Sequence, residues 1–201
     1  MKRLPAVVPA LAAAALGAAL LTPAGADAAG PSSGVGDHAR RSLPPRSVWL
    51  EQTQQALKGA NRYLDAQARK ADPRTLAIVL DIDNTSIQTR YAWPKAVPAT
   101  RRVARHAADL GIHVFFVTGR HNGAELRTAT SQLGRVGYVY DRAFGRRLGE
   151  GLLHEKSRHR TRITERLGLT IIADIGNHMT DLTGPYTGRT YKLPDYSGQL
   201  S

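Results

Sequence analysis

The chain has 201 residues, enough for one ordinary domain with short appendages, and 42% of them are hydrophobic, which excludes wholesale disorder. It contains no cysteine, so disulfides, thiolate catalysis and lipid attachment through a cysteine are excluded, and the fold must hold by burial alone. The formal net charge of +12, carried mainly by arginine, favours anionic surroundings such as phosphorylated substrates, cell-wall polymers or nucleic acid. A genome-wide arginine bias accounts for the same charge, because the arginines are scattered and not gathered in one block.

Residues 1–28 read as a secretory signal peptide. Lys2 and Arg3 give a positive start, Val7 to Leu21 is an Ala/Leu-rich apolar run, and small residues offer cleavage after Ala26 or Ala28. The alternative is a retained membrane anchor, which the short run disfavours. The implied location is outside the cell, free or associated with the wall. Residues 29–46, rich in Gly, Ser, Pro and charge, read as a flexible leader, and residues 47–201 as the folded domain.

Trp49, Leu50, Thr53, Leu57, Ala60, Tyr63, Leu64 and Ala68 recur at helical spacing. They predict one amphipathic helix over 47–70, capped by Ser47 and ended by Asp72-Pro73. Leu76 to Leu80 is a continuous apolar run, as in a strand buried on both faces. Pro98 opens a helix through Leu110 that Gly111 stops. Ile112 to Val117 predicts the second strand, 123–133 a helix, and Val136 to Tyr140 the third strand. Glu155 to Leu167 reads as helix, Leu169 to Ala173 as the fourth strand and Arg189 to Leu193 as a fifth. Strands alternating with helices in this way predict an α/β fold around a parallel sheet.

In such a sheet the ligand sits beyond the carboxyl ends of the strands. The polar residues there are Asp81 and Asp83, Thr118-Gly119-Arg120, and the loop from Asp174 to Asp181. A lone carboxylate at a strand end is more often a cap or turn former. Two of them, followed by Asn84-Thr85, suit phosphoryl transfer through a covalent intermediate. Asp81 would attack phosphorus, and Asp83 would protonate the leaving oxygen and then accept a proton from the hydrolytic water. An anionic nucleophile facing a phosphate needs positive charge and hydrogen-bond donors nearby. Thr118 and the Gly119 amide can donate to phosphoryl oxygens, Lys156 can reach in as a point charge, and acids after the fourth strand would complete an oxygen-ligand Mg²⁺ site. Arg90 and Arg120 either recruit anionic substrate or, more commonly for such residues, stay at the surface. His154 and His159 share no helix face and form no zinc signature, so they read as solvated or capping, whereas His178 sits beside the site.

Taken together, Asp81-Ile82-Asp83-Asn84-Thr85, Val117-Thr118-Gly119-Arg120, Glu155-Lys156-Ser157 and Ile171 to Leu182 resemble the four motifs of the haloacid dehalogenase (HAD) superfamily. Within it the chain resembles the secreted acid phosphatase branch, subfamily IIIB, which is similar to plant acid phosphatases and vegetative storage proteins. The resemblance spans roughly residues 48–195 and includes Tyr191-Lys192-Leu193-Pro194, similar to the Lys-Leu-Pro segment near that branch's end. It implies a Rossmann-like three-layer α/β/α sandwich with a mostly parallel sheet and a minimal cap, hydrolysing phosphomonoesters with Mg²⁺. It implies Asp81 as nucleophile, Asp83 as acid/base, and Thr118, Gly119 and Lys156 as phosphate-binding. The implied metal ligands are Asp81, Asp83 through its main-chain carbonyl, Asn177 and Asp181.

Two departures stand out. The fourth motif usually reads Gly-Asp-x-x-x-Asp, but here it is Gly176-Asn177-His178-Met179-Thr180-Asp181. Asn177 therefore offers an uncharged amide oxygen, which implies weaker Mg²⁺ affinity, with Asp174 a candidate to lend charge. The stretch between Asp83 and Thr118 is also short, leaving Tyr91, Trp93 and Pro94 to line a more open entrance. Two other readings stay open: a binding or storage protein that kept the fold without activity, and a basic exported protein that binds anionic polymers. Retention of Asp81, Asp83, Thr118 and Lys156 argues for the enzyme. The sequence points to no obligate protein partner.

Overall fold

The computed structural model describes residues 42–200. The expected signal peptide, 1–28, and most of the expected leader, 29–41, lie outside the described residues.

Five strands carry the fold: β1 (Leu76–Leu80), β2 (His113–His121), β3 (Arg142–Arg146), β4 (Thr170–Gly176) and β5 (Arg189–Lys192). They form one sheet in the order β3-β2-β1-β4-β5, with every neighbouring pair parallel. Strand β1 is central and all five of its residues are buried. Its side chains alternate between two cores, as the period of two in a strand requires. Leu76, Ile78 and Leu80 pack with Leu64, Val103, Phe116 and Leu133, whereas Ala77 and Val79 pack with Phe115, Phe144 and Ile163. The first core lies under α2 (Ala60–Ala68), α3 (Pro98–Asp109) and α4 (Ala124–Arg135), and the second under the helical turn Arg162–Arg166 that continues α5 (Leu152–Thr161). This is the expected layered α/β arrangement. Among the described residues no helix is long and apolar enough to cross a membrane.

Three elements differ from the sequence reading. The single helix expected over 47–70 is two, α1 (Arg46–Ala56) and α2, because the chain turns at Gly59 with φ of +83°. Ser47 lies inside α1, and its N-terminal position belongs to Pro45, without a side-chain cap. The third strand is Arg142–Arg146, not 136–140. There Gly137, at φ +80°, turns the chain off α4, and Tyr138 and Tyr140 pack edge-on against Phe116 at ring distances of 5.4 and 5.2 Å. Their apolar surface is thus buried without a ladder. The helix expected over 155–167 starts at Leu152 and widens into a π-helical turn over Arg162–Arg166.

Between β1 and α3 runs a short segment, tied by isolated bridges of Ile87 to Asp83 and Ala96. Strand β1 has β2 on one side and β4 on the other, so the connections leave it in opposite directions. The crevice beyond the carboxyl ends of β1 and β4 is the topological switch point, where ligands of such sheets bind.

Candidate active site

The residue after β1 is Asp81, and its N–H donates to the Ile175 carbonyl of β4 at 3.0 Å while its own carbonyl accepts from Ser86 Oγ at 2.7 Å. The backbone is therefore fixed from both sides, and the side chain is buried. Lys156, on α5, sends Nζ to Asp81 Oδ1 at 3.0 Å and also donates to Asp181 Oδ1. Asp181 belongs to the short helix α6 (Met179–Leu182), and its second oxygen accepts the His178 N–H at 2.9 Å. This fold-back requires Gly176, because a Cβ there would collide with the Asp181 side chain. One buried ammonium thus faces two buried carboxylates. Burial above all, and then repulsion from Asp181, push the Asp81 carboxyl well above the usual range, against the pull of Lys156. Burial opposes the charge on Lys156, but Asp81 and Asp181 outweigh it and hold the ammonium protonated.

Asp83 has different surroundings. Arg120 grips it bidentately, Nε to Oδ2 at 2.8 Å and Nη2 to Oδ1 at 2.6 Å, and Thr89 Oγ1 donates to Oδ1 at 2.6 Å. Burial pushes this carboxyl up, but the Arg120 and Thr89 hydrogen bonds outweigh it and hold it below the usual carboxylate range. Arg120 is positioned in turn by Gln132 Oε1 at 3.2 Å and by the Trp93 ring, 5.1 Å from its guanidinium carbon.

Thr118 is buried just before the rim, with its hydroxyl oxygen accepting the Arg120 N–H at 3.2 Å, and Gly119 lines the cleft. A Cβ on Gly119 would press on Leu152 Cδ1 at 3.1 Å. Asn177 follows β4 and is buried. Its Nδ2 donates to the Leu200 carbonyl at 3.0 Å, and its Oδ1 accepts from Thr85 Oγ1 at 3.3 Å. Asp81, Asp83, Gly119, Lys156, Asn177 and His178 line one cleft of about 400 Å³. Grooves of about 380 and 440 Å³ beside α1 hold no carboxylate pair. Chemistry, not volume, picks out the site.

Other expectations need correction. Asp174 does not line the cleft: it is buried within β4, where Oδ2 accepts the Gly188 N–H at 2.8 Å, and burial pushes its carboxyl up to about 7. Tyr91 does not line the entrance, because it stacks on Trp49 at 4.7 Å and its hydroxyl donates to the Pro44 carbonyl. His159 is neither solvated nor a cap; it is buried against Phe144 with Nε2 2.9 Å from the Gly145 carbonyl. The opposite wall of the cleft, His121, Glu125 and Arg146, carried no sequence signal of its own. Arg120 stood beside Thr118-Gly119 in the second motif, which marked its position but not its grip on Asp83.

A model of the HAD superfamily, subfamily IIIB (Acid phosphatase), matches residues 88–199. The chain belongs to this acid phosphatase family. It is therefore a phosphomonoesterase of the HAD superfamily. No match was found among curated proteins. Among solved structures it is similar to a class C acid phosphatase from Bacillus anthracis with tungstate bound, with 18% identity, 69% of this chain and 67% of that chain covered, and a TM-score of 0.57. At this identity the likeness is one of fold. The matched stretch spans Thr118, Gly119, Lys156, Asn177 and Asp181 and begins after Asp81 and Asp83; Asp81 contacts one of its residues, Lys156.

HAD phosphatases generally use a divalent metal, and the donor chemistry here fits one. Asp81, Asp181 and the Asn177 amide offer hard oxygen atoms, and two buried carboxylates share one ammonium, so further positive charge would relieve them. The Asp83 carboxylate is committed to Arg120 and does not join that group. Outside the cleft, ligand atoms of Glu150, His154 and Glu155 lie within 4.8 Å of one another, but both Glu155 oxygens are engaged by Arg147 and Arg158.

Proposed function

We propose that the protein is an exported, Mg²⁺-dependent acid phosphatase that hydrolyses phosphomonoesters through an aspartyl-phosphate on Asp81. One observation carries the reading: at the end of β1 the Asp81 carboxylate lies 3.0 Å from the buried Lys156 ammonium, with Asp83 two residues on in the same cleft.

In this reading Asp81 Oδ attacks phosphorus, and the bond from phosphorus to the ester oxygen breaks. Asp83, protonated, gives its proton to that oxygen as the alcohol leaves. Water then attacks the aspartyl-phosphate, Asp83 accepts the water proton, and inorganic phosphate departs. Lys156, the Gly119 N–H and the Thr118 hydroxyl neutralise and orient the phosphoryl oxygens. Asp81, Asp181, Asn177 and the main-chain carbonyl of Asp83 would hold Mg²⁺, which when bound supplies charge neutralisation for nucleophile and phosphate. Because Arg120 holds the Asp83 carboxyl low, its proton-bearing form grows only as the medium acidifies, whereas the Asp81 carboxyl, held high by burial and by Asp181, would need the added positive charge of Mg²⁺ to stay an ionised nucleophile there. Export rests on the signal-like residues 1–28 and implies small phosphomonoesters outside the cell as substrates. Weak electrostatic association with anionic wall polymers or nucleic acid is compatible with the +12 charge.

The test is turnover of a small phosphomonoester with and without Mg²⁺, for wild type and Asp81→Asn, with trapping of the phosphorylated chain by acid quench. Label on the wild type and none on Asp81→Asn supports the reading, whereas label that persists on Asp81→Asn contradicts it.

A further inference from the structure

The Leu200 main-chain carbonyl, far along the chain from both catalytic loops, accepts two side-chain amides at once. Asn84 Nδ2 reaches it at 2.8 Å and Asn177 Nδ2 at 3.0 Å. A carbonyl oxygen only accepts, so it dictates which way each amide is turned. The Asn84 Oδ1 then accepts the Arg90 N–H at 2.8 Å, which helps Asn84 hold its left-handed backbone, φ +53°. The Asn177 Oδ1 is directed away from Leu200, toward Thr85 Oγ1 at 3.3 Å, with Asn177 and Leu200 both lining the cleft. The main chain of Asn177 is fixed independently: its N–H donates to Thr85 Oγ1 at 3.1 Å, and Lys192 Nζ donates to its carbonyl at 2.8 Å.

What holds the Leu200 carbonyl is apolar burial. The Leu200 side chain is buried with Trp49 and Val97, with Leu43, Leu50, Tyr91 and Tyr196 packed around them. Tyr196 also donates to Gln52 Oε1 on α1 at 2.6 Å, and Leu200 N–H closes back on Asp195 O at 3.2 Å. The segment from Asp195 to Leu200 is thus strapped across α1, with its carbonyl against the catalytic loops.

We infer that this strap positions the fourth-motif ligand, and that position 177 is an amide because it must donate to the Leu200 carbonyl. A carboxylate there would set oxygen against oxygen, whereas the amide satisfies the strap with Nδ2 and leaves Oδ1 for the cation. The inference rests on the proposed Mg²⁺ site for the ligand role of Oδ1, but the amide-to-carbonyl coupling is independent of metal. Loss of a partner that orients a metal ligand typically weakens metal affinity by about 10- to 100-fold.

The experiment compares wild type, Asn177→Asp, a chain that stops after Gln199, and the two changes combined. Metal-free melting and Mg²⁺ titrations read by the rise in Tm are recorded for each. Asn177→Asp is expected to lower the metal-free Tm by roughly 4–8 °C in the full chain and by much less in the shortened one. The shortened chain should need about 10- to 100-fold more Mg²⁺ for half the Tm rise. Equal Asn177→Asp penalties in both chains overturn the inference. A full chain whose Tm does not respond to Mg²⁺ contradicts the cation site alone, leaving the strap to the metal-free comparison. Should the shortened chain not fold, side-chain amide exchange in the full chain decides. The carboxamide protons of Asn177, assigned by their loss in Asn177→Asp, must exchange far more slowly than those of exposed asparagines, and exchange at the exposed rate overturns the inference.

Discussion

Arg120 and Asp83 form a bidentate ion pair, with both Asp83 oxygens held at 2.6 and 2.8 Å by one guanidinium. The pair joins the end of β2 to the loop after β1, and the carboxylate proposed as acid/base is the one held low. A surface-seeking residue type thus governs the charge of the carboxylate proposed as acid/base.

The first prediction follows from that link. Arg120→Gln removes the fork, so the Asp83 carboxyl rises. Activity that needs Asp83 protonated is lost as pH rises through its pKa, so a raised pKa moves the alkaline limb of the kcat/KM profile upward, by about one pH unit. A pH–rate profile from mildly acidic to alkaline pH checks this. An alkaline limb that stays in place removes Arg120 from control of Asp83.

Lys156→Met takes the one ammonium from between Asp81 and Asp181. The expected loss in kcat is about 10²- to 10³-fold, as for removal of a preorganised charge-stabilising group. Stability should fall by about 3–5 kcal/mol near neutral pH, because two buried carboxylates lose their partner. Without Lys156 the Asp81 carboxyl rises further, so the stability deficit shrinks as pH falls and Asp81 takes up its proton. Urea melts at two pH values, beside steady-state rates, test both parts. An unchanged melt would mean that the triad carries no stability.

Asp174 provides a pH-dependence of stability from outside the cleft. Its carboxyl is raised to about 7 by burial, so the folded state holds its proton where the unfolded chain has released it. A raised folded pKa gives stability that is fully present below the unfolded value, near 4, and lost as pH rises toward 7. Asp174→Asn keeps the acceptor for the Gly188 N–H and removes this titration. Relative to the variant, wild type should lose up to about 1.4 kcal/mol per pH unit across that window. Parallel stability curves for the two proteins would refute the assignment.

How much of this was legible in sequence depended on what each residue does. Strand β1 was plain because a five-residue apolar run buried on both faces has few alternatives. That Asp81, Asp83, Gly119 and Lys156 share one cleft was legible too, because a parallel sheet gathers the carboxyl ends of its strands on one side; their catalytic roles belong to the proposal. Val136 to Tyr140 misled because an apolar run is satisfied equally by a ladder or by rings packed on Phe116. The helical pattern over 47–70 hid its break because periodicity continues through a turn whose only mark is Gly59. Leu200 could not be found at all: it acts through a main-chain carbonyl, which every residue possesses. Asp174 stood near the right loop but faces away from the cleft, toward Gly188.

The central claim, that Asp81 is the nucleophile of a phosphomonoesterase, is tested most directly by comparing wild type with Asp81→Asn on a phosphomonoester with Mg²⁺ present. The substitution is nearly isosteric and removes a disfavoured buried charge, so the variant should fold with an equal or higher Tm. Its turnover should fall by at least about a thousandfold, as expected when a covalent nucleophile is removed. A folded Asp81→Asn protein that turns over substrate at a rate near wild type would contradict the account.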